Sequence, residues 1–115
     1  MDRADRIRLR HMLDSAREAL AFAEGRQRDD LDTDRQLALA VVKCLEIVGE
    51  AANNISPETR DGIRTIPWSG IINMRHRLIH GYFTINLDIV WQTLADDLPP
   101  LVGELRRILE TREGT

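Results

Sequence analysis

Apolar residues recur every three or four positions through almost the whole of this chain, and that spacing constrains its fold more than any other feature. Leu37, Val41, Cys44, Val48, Ala51 and Ile55 make one stripe, widened by Ala38, Val42 and Leu45. A strand places alternate residues on one face, whereas a helix places residues three and four apart there. The stripe predicts a helix from about Thr33 to Ile55, apolar enough to sit at the centre of the core. Leu9, Leu13, Ala16, Leu20 and Ala23 mark an earlier helix over Arg3 to Glu24, which Gly25 ends. A polar connector from Arg26 to Asp32 follows, with Asp32 or Thr33 as the expected N-cap.

Beyond Ile55 the punctuation is proline and glycine. Ser56-Pro57 reads as an N-cap and a first helical residue, starting a short extra helix that Gly62 stops. Pro67 starts another, with Trp68, Ile71, Met74 and Leu78 on one face and Arg and His residues in its last turn. Gly81 suits the left-handed position after its end. From Leu87 onward, Val90, Leu94, Leu98, Leu101, Leu105 and Ile108 keep helical spacing straight through Pro99-Pro100. Two interior prolines remove backbone donors and clash with the preceding turn, so a kinked helix is expected, Asp97 capping its second half. Aromatic residues are only 4% of the chain, which leaves the core to aliphatic side chains. The expectation is all-α: one domain over residues 1–115, an antiparallel four-helix bundle with a short extra helix and a proline-kinked C-terminal helix.

A chain of 115 residues leaves a large share of its apolar surface uncovered, which favours burial against a partner. Its one cysteine, Cys44, has no internal disulfide partner, and no apolar run is long enough for a signal-peptide core or a membrane span. The cytoplasm is the expected compartment. A net charge of -3 argues against a protein that coats nucleic acid. The charge is nevertheless uneven: Arg60, Arg64, Arg75 and Arg77 face only Asp61 between Arg60 and Tyr82, while the stretch from Asp88 to Asp97 is acidic. A small anionic target or one brief contact with RNA fits that distribution.

The chemistry-bearing segment is Arg75-His76-Arg77-Leu78-Ile79-His80-Gly81-Tyr82. Arginine offers phosphate a planar fork of donors and stays charged, and histidine exchanges a proton near neutral pH, so together they supply what phosphodiester cleavage needs. On an ideal helix Arg75 and His80 lie about 140° apart. They share a cleft only if the helix ends at Gly81 and the arginine leans back over the last turn. A structural reading competes, since a histidine near a helix C-terminus is also stabilised by the dipole. His76 and His80, four apart, have the spacing of a helical zinc pair but lack an evident third ligand; Cys44, Glu46, Glu50 and His11 qualify only if the fold brings them near. No metal and no cofactor are expected. Glu50, an acid in the apolar second helix, either orients Arg75 or His80 or reaches solvent.

Taken in order, Gly49-Glu50-Ala51, Pro67-Trp68, Met74-Arg75, Leu78-Ile79-His80-Gly81-Tyr82-Phe83 and Asp88-Ile89-Val90-Trp91 resemble the HepT family of HEPN-domain proteins over nearly the whole chain. Its signature, an arginine, four to six residues, then His-x-Tyr, is met by Arg75, His80 and Tyr82. Many relatives carry Asn after the arginine, where this chain has His76. The resemblance implies a homodimeric helical bundle acting as a metal-independent endoribonuclease, the toxin of a toxin–antitoxin pair. It implies Arg75 and His80 as catalytic residues and a partner nucleotidyltransferase of the MntA type that transfers AMP to Tyr82. Arg77 and His76 are the expected RNA-binding neighbours. From the residues themselves, a twofold interface pairing two copies of His80 would supply both the base and the acid that one protomer lacks. The alternative is a noncatalytic dimerisation and nucleotide-binding module that assists a nucleotidyltransferase, its arginines holding phosphates without cutting. A purely structural helical dimer explains the apolar stripes but not the histidine-bearing segment.

Overall fold

The computed structural model describes residues 1–82 and 84–113; Phe83, the last residue of the run that begins at Leu78, lies outside them. Two long helices carry the core, α1 (Arg3–Ala23) and α3 (Arg35–Asn53). Asp2 caps the first by accepting from the Asp5 N–H, and Gly25, at φ +74°, turns the chain out of it. The connector is not wholly irregular. Asp30–Thr33 form one turn, α2, which buries Leu31, so the cap of α3 moves on to Asp34, whose carboxylate accepts from the Leu37 N–H. As its stripe predicts, α3 is the hub: α1 and α2 pack against it, and so do the later helices Trp68–Ile72, Met74–Leu78 and Leu87–Gln92.

The short extra helix α4 (Pro57–Gly62) has Ser56 as its cap and proline in its first turn, as expected. The helix predicted after Pro67 departs in two ways. Asn73, at φ -88° and ψ +13°, interrupts it, giving α5 (Trp68–Ile72) and α6 (Met74–Leu78). It also ends at Leu78, before His80. The next residues form a hairpin, β1 (Ile79–His80) antiparallel to β2 (Thr84–Ile85), with Ile79 opposite Ile85 and His80 opposite Thr84. Gly81 is left-handed, φ +59°, but as a residue of the hairpin loop and not as a helix cap.

Asn86 closes the hairpin through its N–H to the Leu78 carbonyl, 2.7 Å, and caps α7 (Leu87–Gln92). The expected kink before Pro99-Pro100 is a π-helical segment, Thr93–Asp97, in which the Leu98 N–H bonds the Thr93 carbonyl five residues back. The widened turn is where the two missing proline donors are absorbed, and both prolines then fall in the first turn of α8 (Leu98–Glu113). Thr93, fully buried, satisfies its hydroxyl by donating to the Ile89 carbonyl at 2.8 Å. α8 packs back on α1, and Leu94, Leu98, Leu101, Leu105 and Ile108 join the single aliphatic core. The fold is all-α apart from the hairpin. No helix of the described residues is long and apolar enough to cross a membrane.

Candidate active site: a cationic edge formed by α6 and the hairpin

Met74 and Leu78, one turn apart and both buried, seat α6 on the core. Arg75 and His76 between them therefore project outward, exposed, while Arg77 is half-buried. Arg75 is the first to find a partner: its NH1 donates to Glu46 Oε2 on α3 at 3.0 Å, with 62% of the arginine side chain still open to solvent. Arg77 reaches the other way, 3.9 Å from Asp97 on the π segment. The acidic stretch is thus a neighbour of the basic one.

His80 lies on β1. Strand alternation turns Ile79 inward, where it packs on the core, and His80 outward into solvent. The 140° helical offset from Arg75 does not apply, because the backbone changes from helix to strand between them. The same change removes the helical zinc geometry of His76 and His80, and among the described residues no group of three His, Cys, Asp or Glu side chains is placed to hold a metal ion. Tyr82, in the loop of the hairpin, is fully exposed at 101%. Among the described residues His76, His80 and Tyr82 have no side-chain hydrogen bond or ion pair, so both imidazoles and the phenol face solvent uncommitted.

Of the two readings of Glu50, the structure shows the one in which it reaches solvent. Glu50 is exposed and makes no side-chain contact with Arg75; Glu46, four residues earlier, makes it instead. Spacing alone cannot separate the two, because residues four apart on a helix occupy one face. Gly49 supplies the missing clue. A Cβ built there would lie 2.8 Å from the Ile71 carbonyl oxygen and 3.3 Å from Met74 Cβ, so the glycine marks where α5 and α6 cross α3. Trp68 and Trp91 both pack on the core, and the Trp68 indole N–H donates to the Ile63 carbonyl at 2.8 Å. Cys44 belongs to the core and not to this edge: burial, and then the carboxylate of Glu18 that accepts from it, push its thiol up to about 12.

The segment thus presents a solvent-facing imidazole on the strand that follows a helix whose guanidinium is anchored by one carboxylate contact, groups of the kind that hold a phosphate and move a proton. The ribonuclease HepT-like family model matches residues 12–108, which include every residue of this edge. The chain belongs to the HepT-like ribonuclease family. A protein of Caldanaerobacter subterraneus subsp. tengcongensis, named as a candidate RNase, is 35% identical over 89% of this chain and 91% of its own length. The Thermococcus cleftensis protein named "Probable ribonuclease HepT" is 35% identical over 70% of this chain and 73% of its own. A candidate RNase of Methanocaldococcus jannaschii is 31% identical over 81% and 77%. No solved structure gives a significant match. The family membership bears out the expectation of an endoribonuclease and of a helical HEPN-type fold.

Proposed function

We propose that this HepT-like chain is the toxin of a toxin–antitoxin pair, a metal-independent endoribonuclease that works as a twofold dimer. RNA is cut by its own 2′-hydroxyl. The hydroxyl loses its proton to the His80 of one protomer and attacks the adjacent phosphorus. The 5′-oxygen leaves with a proton from the partner's His80, and Arg75 from each protomer stabilises the charge that builds on the phosphorane. The products are a 2′,3′-cyclic phosphate and a free 5′-hydroxyl. Arg77 and His76 extend the cationic edge along the RNA. Tyr82 takes AMP from a nucleotidyltransferase of the MntA type: its hydroxyl attacks the α-phosphate of ATP and releases pyrophosphate. The new phosphodiester then competes with RNA for the arginines.

The observation that carries this reading is the solvent-facing His80 imidazole on the strand directly after the helix that presents Arg75, within a family of ribonucleases. Cleavage of a labelled RNA in the presence of EDTA tests it. His80→Ala and Arg75→Ala should each lower the rate by at least about 100-fold, the scale for removing one acid–base group, with helical content unchanged. Full activity in His80→Ala would remove the mechanism, and activity lost to EDTA and restored by zinc would replace it with metal catalysis. An AMP adduct found by intact mass on the native chain but absent from Tyr82→Phe tests the regulatory half.

A further inference from the structure

We infer that Glu46 is the positioning residue for Arg75, so that the geometry of the proposed phosphate-binding group is set from α3 and not from its own helix. This rests on the reading of Arg75 as that group. The two members of the ion pair are unequal: the Glu46 side chain is 19% exposed and the Arg75 side chain 62%. The carboxylate is therefore the fixed end and the guanidinium the held one. A mostly buried carboxylate is costly without a partner, which keeps the 3.0 Å contact made.

The backbone is arranged to bring them together. Gly49 lies three residues beyond Glu46, on the same face of α3, and its missing side chain lets the Ile71 carbonyl and Met74 settle there. Met74 is the residue before Arg75. The close crossing thus places Arg75 within reach of Glu46, although α6 is only five residues long and has no side-chain cap of its own.

The contact is also economical in donors. A guanidinium has five N–H groups in a rigid fork, and Glu46 takes its bond from one terminal nitrogen, NH1. The edge formed by Nε and NH2 stays available for two phosphate oxygens. Holding the arginine in this pose orders it before RNA arrives, which favours the chemical step, whereas the added negative charge opposes the binding of an anion. A positioning role therefore predicts effects of opposite sign on kcat and on affinity.

The test is Glu46→Gln, which keeps the volume and an acceptor oxygen but drops the charge, alongside Glu46→Ala. Expected are a kcat lower by about tenfold in the glutamine variant and about 100-fold in the alanine variant, with KM for RNA lower in both. Loss of a purely structural residue would instead lower the folded fraction and leave KM untouched; circular dichroism on the same samples separates that case, and finding it would overturn the inference. Native kcat in both variants would do so as well. A second readout needs no cleavage: the order parameter of the Arg75 Nε–H bond should fall in both variants. If the native chain cuts no RNA, the proposed function fails alone, and an order parameter unchanged in Glu46→Ala then overturns the positioning role by itself.

Discussion

Asp5 shows how a single buried charge can tie distant parts of this chain together. It is 2% exposed, yet it accepts from the Ser56 N–H at 3.0 Å and from the Ser56 and Thr59 hydroxyls at 2.6 Å each, joining α1 to the start of α4. Burial pushes its carboxyl up. The bonds from Ser56 and Thr59 and the charge of Arg8 together outweigh burial and hold it below the ordinary 3.8. A depressed carboxyl binds its proton more weakly in the folded state than in the unfolded one, so its stabilisation is complete above the unfolded value and is lost as pH falls through the folded one. Asp5→Asn keeps the shape but replaces an acceptor with a donor, facing it to hydroxyl and amide donors. It should cost about 2–3 kcal/mol at neutral pH, the scale of orphaned buried donors. The difference from the native chain should shrink below pH 3.8, which urea unfolding at several pH values will read. The Ser56 cap of α4 was legible in the sequence as Ser-Pro. Its link to Asp5, fifty-one residues away, was not.

At the scale of elements, the largest departures from the sequence reading fall in the segment that carries the chemistry. Asn73 splits a predicted helix, and Ile79–His80 form a strand where the helix was expected to continue. The available signal was weak: β-branched Ile79, Thr84 and Ile85 stand on either side of Gly81, but two-residue strands are too short to show an alternation. The strand matters because it turns His80 outward in a way a helical turn would not dictate. Gly49 is the element-level device that seats this segment. In Gly49→Ala, better helix propensity is worth about 1 kcal/mol, but the new methyl meets a backbone carbonyl at 2.8 Å, which cannot rotate away. A net loss of up to about 2 kcal/mol is expected, by the cost of overpacking less the propensity gain. Thermal unfolding checks it, and hydrogen exchange should rise in α5 and α6 before it rises in α1.

The whole molecule is a slab of 46 × 30 × 19 Å, two helices thick. Its radius of gyration, 14.3 Å, exceeds the about 13 Å of a compact chain this long. It exposes 6841 Å², where a monomer of this mass exposes about 6400 Å². So much exposed surface on so small a chain suits the proposed pairing of two protomers. Sedimentation at micromolar concentration should give twice the chain mass. Mixing native with His80→Ala protomers should then test whether the site is shared. If one cleft draws a histidine from each chain, an equal mixture cleaves at about a quarter of the rate of the same amount of native chain, because about a quarter of the dimers keep both histidines, whereas independent sites would give about half. A monomer that cleaves RNA would end the two-histidine scheme.

By itself the sequence determined the helical class, the hub role of α3, the aliphatic core, the proline-bearing caps and the family signature of Arg75, His80 and Tyr82. These depend on periodicity and on residues close in the chain, which local physics governs. Only the tertiary structure decided that Glu46 and not Glu50 holds Arg75, that Arg77 turns toward Asp97, that His80 stands on a strand, and that the two prolines are absorbed by a π turn. Each is a matter of which neighbour a side chain or carbonyl meets across the fold. A helix face offers several equivalent candidates one turn apart, and the choice among them is made by the crossing of another element, here at Gly49, whose position no spacing within one helix encodes.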